Sequence, residues 1–244
     1  MNSPSTAQEL ADVTGIDEAA VAASPRVPAV YVYEAPVRIW HWVNALAITV
    51  LAVTGFFIGR PLPSVPGEAS DWYLMGSIRF AHFAAGYVLA VGLLGRAYWA
   101  LVGNHHAREL FTLPLTRRAY WHEVRAMLAW YAFLRPRPNQ YVGHNPMARL
   151  AMFFGYLLLT LFMIATGFAL YGEGTGHGSW ADIAFGWVIP LIGDSQLVHT
   201  LHRLGLWLMV CFVVLHVYAA LREDIMGRQS MVSTMVSGYR TFKD

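Results

Sequence analysis

Four stretches of the chain run without the polar residue every few positions that marks the solvent side of an amphipathic helix. They cover about 39–59, 80–102, 147–171 and 198–222, each near or above the roughly 20 residues a helix needs to cross hydrocarbon. The pattern predicts an all-α integral membrane protein, a four-transmembrane-helix bundle. No internal repeat and no low-complexity tract is evident. Between the second and third runs, TRRAYWHEVRAMLAWYAFL (Thr116 to Leu134) mixes arginines with aromatics and leucines. Its purely apolar part is too short to span. It reads as an interfacial helix, or alternatively as a helix packed on the bundle, broken by Pro136 and Pro138.

The polar connections differ in charge. The segment 103–146 carries Arg108, Arg117, Arg118, Arg125, Arg135 and Arg137, whereas 172–197 carries Glu173, Asp182 and Asp194 without lysine or arginine. The tail adds Arg228, Arg240 and Lys243. The positive-inside rule therefore places both termini and the 103–146 connection in the cytoplasm, with Arg60 and Arg79 as exceptions on the outer side. Residues 1–30 lack the basic start and apolar core of a secretion signal. They read as a mobile cytoplasmic extension before a membrane domain over 31–244.

Composition agrees with this class: 56% hydrophobic and 13% charged residues, with positive mean hydropathy, exclude an ordinary soluble domain. The net charge of +2 gives no reason to expect nucleic acid as a partner. The single cysteine, Cys211, excludes a disulfide framework, a Cys-x-x-Cys metal site and the Cys-x-x-Cys-His attachment of covalent haem. It reads as a small apolar packing residue.

Histidine is costly inside a bilayer and marks bundle interiors or functional sites. His41, His82, His202 and His216 fall within the spans. With the topology above, His41 and His216 lie toward the inner face, His82 and His202 toward the outer. His202 and His216 are 14 residues apart on one helix, which returns them to within about 40° of one direction and separates them by about 21 Å. Each level thus offers two imidazoles from two helices. His199 stands three residues before His202, but lies about 100° from His216 in direction, so His202 is the better partner on a common face.

Two imidazoles, with neither Asp nor Glu in these runs, do not make an ordinary zinc site. They suit an iron whose other four positions a macrocycle already fills, and so two noncovalent haem b groups. Gly86 and Gly55 would let a flat group approach the helices. Arg38, Arg79 and Arg203 stand beside the ligand candidates as propionate partners. In YVGHNPMA, Asn145 before Pro146 reads as a helix cap, or with His144 as hydrogen-bonding groups for a quinone headgroup. His105, His106, His122 and His177 read as solvated loop residues.

These residues sit in motifs that resemble the cytochrome b subunit of membrane-bound nickel–iron uptake hydrogenases, from about Tyr31 to Lys243. The resemblance rests on YEAPVRIWHWVNALAITVLAVTG, on GEAS followed by IRFAHFAAGY, on GNHHARELF and YVGHNPMA, and on HTLHRLGLWLMVCFVVLHVYAALREDIMGRQSMVSTMVSGYR. It implies a di-haem anchor in the bacterial inner membrane, with His41, His82, His202 and His216 as axial ligands. It also implies partners: a hydrogenase small (iron–sulfur) subunit, a large (nickel–iron) subunit, and membrane quinone as electron acceptor. Formate dehydrogenase cytochromes share the 14-residue spacing, so formate dehydrogenase or thiosulfate reductase is the near alternative. An ion-coupled transporter is the alternative from another class, though it would need buried acids paired with the histidines. A histidine-box metalloenzyme would need three ligands converging at one depth.

Overall fold

The computed structural model describes residues 29–63 and 72–242. The proposed N-terminal extension up to residue 28, the GEAS motif and Lys243 lie outside the described residues. Four long helices form the bundle: α1 (Ala35–Gly59), α2 (Leu74–Val102), α4 (Pro146–Thr175) and α7 (Ser195–Ile225). Between them run α3 (Arg118–Tyr131), α5 (Trp180–Phe185) and α6 (Val188–Ile192). After α7 come α8 (Met231–Ser237) and a two-stranded antiparallel ribbon joining β1 (Ala29–Tyr31) to β2 (Tyr239–Thr241).

All four spans are longer than the apolar runs alone. Helix α7, with 31 residues, is about 46 Å long against a hydrocarbon thickness of about 30 Å. A helix satisfies its own backbone, so polar turns at either end continue it into the headgroup region, bringing Glu173 and Glu223 into helical segments. Caps set the starts. The Asn145 side chain accepts from Ala148 N at 2.7 Å ahead of Pro146, and Asp194 accepts from Leu197 N at 2.7 Å.

Helix α1 packs along α2 and α4 along α7, and α7 and α1 touch across the pairs. The core joins Leu93, Leu110, Tyr156, Leu157 and Met209. Large apolar side chains such as Leu46, Phe80, Leu101, Phe154 and Leu215 stay exposed around the outside, the surface a bilayer would cover. Cys211 is also exposed there and is not a core packing residue. Over Ala151–Leu158, α4 widens into π-helical geometry, a form often met near functional sites.

The ribbon, absent from the sequence expectation, ties both described chain ends to one end of the bundle. The 103–146 connection lies there too: Asn104 Nδ2 donates to Val32 O at 2.9 Å and Arg240 Nη1 to Gly143 O at 2.8 Å. This is the terminal end of the bundle, and its opposite is the far end. Helix α3 stops at Tyr131, before the prolines, where Phe133 takes a left-handed φ of 62°. One face of it, Tyr120, Met127 and Trp130, is buried against the bundle. Arg222 of α7 holds its end, lying 4.5 Å over the Trp130 ring and donating to Trp130 O at 2.8 Å. Trp121 and Leu128 remain exposed, so the helix is both anchored on protein and apolar outside.

Candidate functional site

The four span histidines meet in the two expected pairs. His41 of α1 and His216 of α7 have ring centres 6.3 Å apart at the terminal end. His82 of α2 and His202 of α7 have theirs 6.5 Å apart at the far end. Two imidazoles bound from opposite sides to one ion, each through a nitrogen at about 2.0 Å, hold their ring centres about 6.3 Å apart. Both separations fit bis-imidazole ligation of haem iron.

The far pair is seated by residues that sequence reasoning missed. Thr54 Oγ1 donates to Val50 O at 2.6 Å and lies 2.9 Å from His82 Nδ1. Thr166 Oγ1 donates to Phe162 O at 2.8 Å and lies 2.8 Å from His202 Nδ1. A hydroxyl has one hydrogen, so each threonine that gives it to a carbonyl must accept from the imidazole. That arrangement assigns the proton to Nδ1 and leaves the Nε2 lone pair for a metal. Next to each threonine stands a glycine. A Cβ on Gly55 would meet His82 Cε1 at 3.2 Å, and one on Gly167 would meet His202 Cε1 at 3.2 Å. Gly55 therefore seats a ring directly, whereas a Cβ on Gly86 would meet nothing within 4 Å. The signal for this was present: Thr-Gly-Phe occurs at Thr54–Phe56 and again at Thr166–Phe168, a local repetition in a chain read as having no repeat.

The terminal pair is held differently. His216 stacks on Phe212, with ring centres 5.7 Å apart and planes at 15°. Phe212 in turn packs on Gly155 in the π-helical segment of α4. His41 stands edge-on to Trp42, 5.0 Å away, and its buried Nδ1 has no hydrogen-bond partner. Such an unsatisfied nitrogen marks a site that accommodates another group.

His199 is not brought to His82: it is exposed, and its Nδ1 lies 2.9 Å from Ser195 O on its own helix. Arg203 Nη2 donates to Gly59 O at 2.6 Å, and Arg38 Nη1 donates to Val236 O, so both first serve to tie elements together. Arg79 is exposed near the start of α2. Asn145 is buried and engaged at both ends, capping α4 and donating to Glu223, so its amide serves the fold. Glu223, the buried acid of α7, accepts from Tyr131 and Asn145 and not from a span histidine.

His144 meets Glu109, which is itself buried. Glu109 Oε1 lies 2.7 Å from His106 Nδ1, and Oε2 lies 2.9 Å from His144 Nδ1. Burial pushes the Glu109 carboxyl up, but hydrogen bonds and charge from His144, with a further bond from His106, outweigh it and hold it at about 2. His106 is therefore not the solvated loop residue expected, while His122 and His177 are exposed as expected.

The sequence is also similar to known proteins. The sequence profile of prokaryotic cytochrome b561 matches residues 32–238. A Cupriavidus necator protein named "Probable Ni/Fe-hydrogenase B-type cytochrome subunit" is 66% identical over 244 residues, all of both chains. One of the same name from Azotobacter vinelandii is 65% identical over 216 residues, 88% of this chain and 90% of its own. An Escherichia coli protein named "Probable Ni/Fe-hydrogenase 1 B-type cytochrome subunit" is 52% identical over 225 residues, 90% of this chain and 94% of its own. With four apolar spans and two facing histidine pairs, the chain belongs to the prokaryotic cytochrome b561 family.

Proposed function

We propose that the chain is the membrane cytochrome of a nickel–iron hydrogenase. It would take electrons from the partner's iron–sulfur subunit through a b-type haem held by His82 and His202. They would pass next to one held by His41 and His216, and so to membrane quinone. The observation that carries this reading is the two imidazole pairs, 6.5 Å and 6.3 Å between ring centres, at two depths along α7. The names of the relatives support the hydrogenase partnership. Haem, when bound, supplies one-electron chemistry.

The chain's own part is to present Nε2 of each ligand and to shield it with the bundle. Thr54 and Thr166 fix the tautomer at one level. Arg38, Arg79 and Arg203 are assigned to propionates, Arg38 and Arg203 with the guanidinium hydrogens that their carbonyl contacts leave over. In this reading the terminal end faces the cytoplasm of a bacterial inner membrane, where its arginine-rich connection belongs. The quinone headgroup sits beside His144. One cysteine cannot ligate a nickel–iron centre or a cluster, so hydrogen activation belongs to the partner subunits.

A pyridine haemochrome assay on the purified chain tests the cofactor content, with two b-type haems per chain expected and none overturning the reading. In the assembled complex, His216→Ala should abolish quinone reduction and leave dye-linked hydrogen oxidation intact. Normal quinone turnover in that variant would remove the assignment of His216 to the terminal haem.

A further inference from the structure

The 103–146 connection holds a chain of proton-bearing groups that the electron path does not use. His105 is exposed, and its ring centre is 5.4 Å from that of His106. His106 reaches Glu109 Oε1 at 2.7 Å, and Glu109 Oε2 receives both His144 Nδ1 and His144 N at 2.9 Å. The Glu109 side chain is only 7% exposed, between those of His106 at 20% and His144 at 28%, so a buried carboxylate bridges two half-buried imidazoles. Of the two imidazoles, His144 is the electrostatic neighbour of both His41 and His216. Tyr33, ahead of α1, places Oη 3.0 Å from His144 Nδ1, and burial keeps that phenol protonated despite Arg240. Arg96 of α2 is buried with Nε and Nη1 unsatisfied, and acts electrostatically on Glu109 and Tyr33.

A carboxylate that served only to staple the fold would need one good donor, and an arginine would do it best. Here each oxygen instead takes an imidazole, the one side chain that gains and loses a proton near neutral pH. We propose that His106, Glu109 and His144 form the entry path for the protons consumed when quinone is reduced at the terminal end. The proposal rests on the quinone reading above. Quinone takes two electrons and two protons to become quinol. The electrons come from the partner through the haems, and the protons come from water on the terminal side. His144 gives a proton to the developing oxyanion and is reloaded through Glu109 from His106. Glu109 passes the proton between the imidazoles, releasing one to His144 from Oε2 as it takes one from His106 on Oε1, and its charge holds both rings on one line.

The test uses the intact hydrogenase–cytochrome complex carrying Glu109→Gln or His106→Asn. Haem reduction by hydrogen in the absence of quinone should match wild type. Quinol formation should fall at least about tenfold, most strongly at alkaline pH, with an enlarged solvent isotope effect. Variants with normal haem reduction, turnover and pH profile would overturn the relay alone. A wild-type complex that reduces its haems but never quinone would overturn the functional reading together with the relay. If the variants lose haem, zinc ion on the wild-type complex replaces them. The ligand atoms of His105, His106 and Glu109 lie within 4.8 Å of one another, close enough for one ion. Zinc should then slow quinol formation and spare haem reduction, and zinc that leaves turnover unchanged would overturn the relay.

Discussion

The two histidine pairs are nearly equal in spacing and opposite in construction. At the far end each imidazole is fixed through Nδ1 by a threonine and bedded on the glycine after it, on a neighbouring helix. At the terminal end the rings lean on aromatics, and His41 Nδ1 has no partner. The far site is therefore preorganised by hydrogen bonds internal to the bundle. The terminal site takes its order from the packing around it and from the polar connection that closes that end. One fold thus holds one histidine pair by hydrogen bonds and the other by aromatic packing.

The largest effect expected is on haem content. On the proposed reading of one haem per histidine pair, His82→Ala or His202→Ala should remove the far haem and keep the terminal one, and His41→Ala or His216→Ala should do the reverse, as read in reduced spectra. Loss of both haems from any single substitution would mean the two sites are one cooperative unit, and the comparison would collapse.

The next effect separates the two ends by acid. Glu109 is held at about 2 against an ordinary 4.5. A depressed carboxyl favours the folded state above its unfolded value, and this is lost as pH falls from about 4.5 toward 2. The linkage is of order 3 kcal/mol, all at the terminal end. Thr54 and Thr166 do not titrate, so acid should loosen the terminal haem first. In Glu109→Gln the two haems should be released much closer together. Haem-band melting at about pH 6 and about pH 3 in both proteins checks this.

The spans were legible because bilayer helices need long apolar runs, and the pairing because 14 residues on α7 fix both depth and face. Helix ends were not legible: Gly172 to Thr175 and the Glu223–Asp224 turn are polar yet helical, since a helix supplies its own backbone bonds in the headgroup region. Asn145 was readable as a cap from its place before Pro146. The Glu109–His144 contact was not, because it joins residues 35 apart that only tertiary closure brings together. Thr54 and Thr166 were hidden for a different reason. A threonine in a span ordinarily bonds its own helix, and both do so while also receiving a histidine from the next one.

That double use makes Thr54→Val and Thr166→Val the sharper probes. Valine keeps the shape, removes the acceptor and leaves an imidazole N–H buried without a partner. Groups of this kind around a metal ligand are worth about 10–100-fold in affinity. The far haem should be lost that much more readily to an apo-haem acceptor, with the terminal haem unchanged. Equal loss at both levels would mean that the threonines stabilise the bundle as a whole and not one site.

The smallest effect expected is that of a methyl group. In Gly55→Ala the new Cβ lies 3.2 Å from His82 Cε1, so the ring must give by a few tenths of an ångström. It cannot turn freely, because Thr54 pins Nδ1 on the adjacent position. The strain, about 1 kcal/mol, falls on the line from Nε2 to the metal. The far haem should stay bound, with a changed low-spin electron paramagnetic resonance signal and a shifted midpoint potential. Gly155→Ala is the matching change at the terminal end, where the methyl would press on Phe212, 2.9 Å away. Phe212 has no hydrogen bond to hold it and can slide, carrying His216 with it, so the terminal signal should broaden more than shift. A far-end signal that only broadened, like the terminal one, would show that the threonine does not hold the ring, and the difference between the two sites would reduce to packing alone.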